Sequence, residues 1–89
     1  MNTTSYPIKP IKTEKLTLTT AETEVSTKSQ PCLMTVVDGN VYIAGKRDTS
    51  VSSSSYLLTE GETLRFFGDV KLCSDSSGAD VRILYYDVV

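Results

Sequence analysis

The sequence has no histidine, no tryptophan and only two cysteines. Without histidine there is no Ser-His-Asp or Cys-His arrangement, and the commonest metal ligand is missing. Cys32 and Cys73 are too few to complete a four-ligand zinc site and do not form a Cys-x-x-Cys pair. They are expected as two buried thiols rather than a disulfide. Neither sign of charge dominates: nine basic residues face eleven acidic ones, for a net charge of −2. No basic field is present to hold a phosphate backbone, so nucleic acid is not an expected partner. No apolar run is long enough to cross a bilayer. The polar opening "MNTTSYPIKPIKTEK" lacks the apolar segment of a signal peptide. The expectation is a chain made and folded in the cytosol of a cell, with no membrane partner. At 89 residues it is one domain. Folding at this size buries only about 60–65% of the unfolded chain's surface, so the core is thin.

What is present is period two. Leu16 and Leu18 alternate with Thr17 and Thr19, Leu64 and Phe66 with Thr63 and Arg65, and Val70 and Leu72 with Lys71 and Cys73. Val81, Ile83 and Tyr85 share one face of a strand whose other face carries Leu84 and Tyr86. No window shows helical spacing. Asp38-Gly39, lying between Leu33–Val37 and Val41–Ala44, predicts a tight hairpin turn. Further turns are expected at Gly61, at Gly68-Asp69 and in "SDSSGAD". The spacing predicts an all-β fold, a small antiparallel β-sandwich or barrel of six to seven strands. "VSTKSQ" gives the weakest strand signal.

Two regions stand apart. Residues 1–14, with Pro7 and Pro10, read as an extended N-terminal arm, and residues 15–89 as the β-domain. Ordering fourteen residues costs roughly 14–28 kcal/mol of backbone entropy. Burying Tyr6, Ile8 and Ile11 returns at most about 9 kcal/mol. The arm must therefore pair as a strand or lie on a partner surface to become ordered. The polar stretch "TSVSSSSY" reads as a surface loop, or as one that orders against a neighbouring subunit.

Residue chemistry argues against catalysis. Gly45-Lys46 suggests a phosphate-binding loop, but Asn40 occupies the position of the first glycine and Arg47 that of the hydroxyl, and no helix follows. Lys46-Arg47 then reads as a solvated turn. The carboxylates cluster at turn glycines, where they accept backbone N–H groups. No catalytic residue, cofactor or metal site is expected, and the chain reads as a non-enzyme. Of the tyrosines, Tyr85-Tyr86 is the most informative, because adjacent strand residues face opposite ways and one could anchor an interface.

The residues Asn40, Val41, Tyr42, Ile43 and Gly45, then Leu58, Gly61, Glu62 and Leu64, then Ala79 to Leu84 carry a wider pattern. It resembles N-V-Y-[IV]-G-G … L-x-x-G-E-x-L … A-D-V-R-[IV]-L in a group of small tailed-phage virion proteins. Ala44 replaces the usual first glycine, and the resemblance spans roughly residues 31–86. It implies a bacteriophage virion structural protein, foremost a capsid decoration protein that docks on the shell and stabilises it. A head–tail connector or tail component is the neighbouring alternative, and a receptor- or glycan-binding module using Tyr42 and Tyr56 the more distant one. The implied partners are the major capsid protein or another virion protein and further copies of the chain, with a trimer favoured. The implied location is the virion. Candidate partner-binding residues are Tyr6, Ile8, Ile11, Lys46, Arg47, Tyr56, Tyr85 and Tyr86.

Overall fold

A computed structural model describes residues 7–88. Its strands are β1 (Ile8–Leu18), β2 (Thr23–Ser26), β3 (Cys32–Ala44), β4 (Tyr56–Leu58), β5 (Thr63–Phe66) and β6 (Asp69–Val88), with no helix among the described residues. All ladders are antiparallel and belong to one sheet. The fold is all-β, as the alternating pattern predicts. The ladders do not establish a sandwich or barrel, because the six strands form a single open sheet with order β1-β6-β3-β4.

β3 and β6 run the whole length of the sheet, and the four other strands lie along their outer sides. β1 and then β2 follow one side of β6. β4 and then β5 follow one side of β3. The sheet thus has two halves. The long half holds β1, β5, the start of β3 and the end of β6. The short half holds β2, β4, the end of β3 and the start of β6.

These halves fold over on each other. Twenty extended residues would span roughly 66 Å at about 3.3 Å each, yet the molecule is only 37 Å in its longest dimension. Phe66 ends β5 at the far end of the long half, and Asp69 begins β6 at the far end of the short half. Three backbone steps reach at most about 11 Å, close to the ~10 Å at which two sheet faces pack. Thr27 and Gly68 tie these ends together: Thr27 N–H donates to the Gly68 carbonyl at 3.0 Å, and Gly68 N–H donates to Thr27 Oγ1 at 2.7 Å. Met34, Val36, Val81 and Ile83 from the long half then share one buried cluster with Val41, Ile43, Leu58 and Leu72 from the short half.

The fold line corrects the predicted hairpin. Asp38-Gly39 does not turn the chain back, and β3 passes straight through it. The flanking runs pair with β6 instead of each other, through Val36↔Val81, Asp38↔Asp80, Gly39↔Ala79 and Val41↔Ser74. β3 carries one extra residue, Val37, and β6 carries the excursion Asp75–Gly78 opposite Asn40. Gly39 at φ 88° and Gly78 at φ 84° take the backbone conformation that β-carbons disfavour, so the kink needs no reversal. The turns at Gly61 and Gly68 appear where the sequence places them. The weakly signalled strand forms as β2, with Val25 buried.

Of the arm, Met1–Tyr6 lie outside the described residues. From Ile8 onward it is part of β1, paired with β6 from Ile8↔Val88 through Glu14↔Ile83 and beyond. Strand pairing supplies the ordering that apolar burial alone could not.

Gly39→Ala places a methyl against the Gly78 carbonyl oxygen and within 3.0 Å of Ala79 Cα, besides straining φ. It is expected to cost roughly 2–5 kcal/mol in urea unfolding. Gly61→Ala shares the positive φ but meets nothing within 4 Å, and should cost only about 1–2 kcal/mol.

Candidate functional site

The two outer faces of the folded sheet differ. On the short half, the hairpin loop 45–55 lies across the surface. Lys71 Nζ donates to the carbonyls of Asp48 at 2.8 Å and Thr49 at 3.2 Å, and Val51 N–H donates to Glu22 Oε1 at 3.3 Å. Lys71 and Cys73 point to the same side of β6, the side on which the loop is held, and Cys73 is 5% exposed. The serine run is ordered by its own turn, in which Ser55 N–H donates to the Ser52 carbonyl and Ser52 N–H to Ser55 Oγ. This loop orders against its own sheet.

The outer face of the long half has no such cover among the described residues. Reading across the ladders gives the row Lys15, Arg82, Thr35, Thr63 and the row Thr13, Leu84, Leu33, Arg65. Leu33 and Leu84 form a half-buried apolar centre in a shallow hollow of about 460 Å³. Towards the end of β6 an adjacent cleft of about 520 Å³ is lined by Pro31, Arg65, Phe66, Phe67, Tyr86 and Val88. Phe67 and Val88 are 68% and 60% exposed. Arg82 is held at 3.3 Å from Asp80, which relieves the like-charge pair Asp38↔Asp80 behind it. Apolar side chains ringed by arginine and aromatic groups match the composition of protein–protein contact centres.

The expected interface residues fall into separate groups. Tyr6 lies outside the described residues. Ile8 is half-buried beside Val88, and Ile11 sits in the β1 bulge between Pro10 and Lys12, 50% exposed. Tyr85 and Tyr86 do point to opposite sides, yet both are buried, at 8% and 2% exposed. Tyr85 donates to Glu14 Oε1 at 2.9 Å and lies under Lys12 Nζ, 4.9 Å from the ring centre. Tyr86 is the outward member, but Arg65 covers its ring at 6.0 Å. The Pro31 carbonyl accepts its N–H, and Gln30 Nε2 donates to its carbonyl. Tyr86 is thus the floor of the cleft rather than a free anchor. Lys46 and Arg47 are exposed in the turn after Gly45, which Asp48 closes by accepting Gly45 N–H at 2.8 Å. Tyr56, 67% exposed, begins β4.

Phe67, Val88 and Arg65 were missed. Phe66-Phe67 carried the same adjacent-aromatic signal as Tyr85-Tyr86: Phe66 packs against the core, leaving Phe67 outside. Arg65 gave no signal of its own, because only the ladder places it beside Leu33.

Burial and local hydrogen bonds shift five titratable groups among the described residues. Burial, then the hydrogen bond from its hydroxyl to Glu14 and the charges of Glu14 and Cys32, push the Tyr85 phenol up to about 12. Burial pushes the Cys32 thiol up to about 11, so it is protonated and unreactive at neutral pH. Burial, with the nearby Glu22 charge, also raises Cys73. Asp75 is held below the usual carboxylate range, first by the Ser77 hydroxyl and then by Asn40 and Ser77 N–H. Glu62 is lowered by the Thr59 N–H and hydroxyl. No cluster of three or more metal-ligating side chains occurs among the described residues. Both cysteines are free and buried.

The raised pKa values of Cys32 and Tyr85 favour their neutral forms in the folded state. Their contribution is fully present below pH 9 and is lost as pH rises through 11 and 12. The urea midpoint should fall between pH 9 and 12, and Tyr85→Phe should flatten the part of that fall above pH 10. Lys71→Met should loosen the loop and speed labelling of Cys73 by a thiol reagent several-fold at pH 8, leaving Cys32 protected; peptide mapping of the label distinguishes the two.

No protein-family model matches this sequence, and no curated protein matches it.

Proposed function

We propose that the protein is a structural component of a tailed-phage virion, acting by binding rather than catalysis. In this reading many copies dock on the capsid shell and stabilise the state they bind. The observation that carries the reading is the bare outer face of the long half, with Leu33 and Leu84 among Lys15, Arg65 and Arg82. The molecule covers its other outer face with its own loop and, among the described residues, leaves this one open. The virion assignment rests on the resemblance of residues 31–86. Those residues build the fold line and core: Val41, Ile43, Leu58, Val81 and Ile83 are buried, and Glu62 accepts Val36 N–H. They support a shared architecture, while the docking face supplies the reason to bind. The glycan-binding alternative loses its platform, because Tyr42 and Tyr56 sit in adjacent ladder rows, opposite Leu57 and Ile43, and so face opposite sides of the β3–β4 pair.

Sedimenting purified particles of the parent phage tests the proposal. On the order of hundreds of copies per particle supports decoration, whereas about six or twelve moves the protein to a neck or tail ring. Its absence from the particle overturns the virion reading. On decorated particles, Leu84→Asp should weaken docking by about thirtyfold or more, as for a central contact residue, with its far-UV spectrum unchanged.

A further inference from the structure

The open sheet leaves two edges free among the described residues, β1 on one side and β4 with β5 on the other. β1 runs from the far end of the long half towards the fold line, and β5 runs from the fold line to that far end. The two edges are therefore antiparallel. A second copy set beside the first in the same orientation would continue the sheet without reversing its hydrogen-bonding sense. A two-fold arrangement would instead pair an edge with itself.

The rows across the sheet show what such an arrangement would bring together. Phe66 lies level with Lys12 through Cys32 and Tyr85, and Thr63 lies level with Lys15 through Thr35 and Arg82. One residue further out, exposed Phe67 is level with the exposed bulge residue Ile11. The β1 edge thus carries exposed Ile11 and the β4–β5 edge exposed Phe67 near the same height, with Tyr56 and Leu57 exposed further along on β4. The charges are uneven as well: the β1 edge carries Lys9, Lys12 and Lys15 beside Glu14, which accepts from the Tyr85 hydroxyl, while Glu60 and Glu62 sit at the start of the β5 edge and Arg65 within it.

We propose that the partner for these edges is another copy of this chain, joined head to tail, with β5 of one copy antiparallel to β1 of the next and Phe67 packed on Ile11. The contact is heterologous, so repetition closes a ring if the rotation permits. This deepens the homo-oligomeric part of the reading above and does not depend on the virion assignment, since it is tested on the isolated protein.

Sedimentation equilibrium of the full chain should show an oligomer of more than two copies. Ile11→Asp and Phe67→Asp each alter an exposed side chain, so both variants should fold by far-UV circular dichroism, and each alone should associate at least tenfold more weakly. Mixing the two is decisive. Each variant retains the edge that the other has lost, so an equimolar mixture should form one-to-one heterodimers and stop there. A wild-type chain that stays monomeric up to about 0.1 mM, where even weak specific contacts assemble, overturns the proposal. So does a dimer that survives Phe67→Asp, or a mixture that gives no heterodimer. Because particles play no part in it, a negative result here leaves particle sedimentation to decide the virion reading separately.

Discussion

The close approach of Gly39 to the Gly78 carbonyl is the constraint on which the rest of this fold depends. Among the described residues β3 and β6 alone span both halves, so the sheet can fold over only if both kink at one level. A β-carbon at residue 39 would occupy the space of the Gly78 carbonyl. Two glycines at positive φ let the backbones touch there, and the excursion Asp75–Gly78 takes up the surplus length of β6 opposite Asn40. Asn40 Nδ2 donates to Asp75 Oδ2 at 2.9 Å, and Asp75 accepts Ser77 N–H at 3.0 Å, so the excursion is held by its own polar groups.

Core and surface both follow from that fold. Folding over turns the inner faces of the two halves towards each other, which lets a chain of this length enclose Met34, Val36, Leu72 and Val81 completely. The short edge strands need little stability of their own, because each is zipped to a long strand. The outer faces are then treated differently. The β3–β4 loop is long enough to fold across the short half, while the turns at Gly61 and Gly68 are too tight to reach across the long half. Among the described residues, a small domain thereby presents one apolar, cation-ringed face and two antiparallel edges.

The readings that failed did so for one physical reason. Asp-Gly is a turn signal when the flanking strands have only each other to pair with. Here β6, thirty residues downstream in sequence, offers both runs a partner, and the glycine's freedom serves a bulge. Tyr85-Tyr86 was read correctly as a pair facing opposite ways, but exposure depends on neighbours. Arg65 and Pro31 reach Tyr86 from other segments and bury it, and the same geometry leaves Phe67 outside. The arm argument left residues 1–14 to order by strand pairing or on a partner surface, and it could not identify β6 as the strand with which residues 8–14 pair.

Alternation, turn glycines and the missing histidine were enough to determine an all-β chain with two buried thiols, because they depend on local geometry and composition. Only the tertiary structure decided that the strands form one bent open sheet, which outer face is roofed and which edges stay free. Those outcomes depend on which distant residues meet, and period-two patterning fixes a residue's face without fixing its partner.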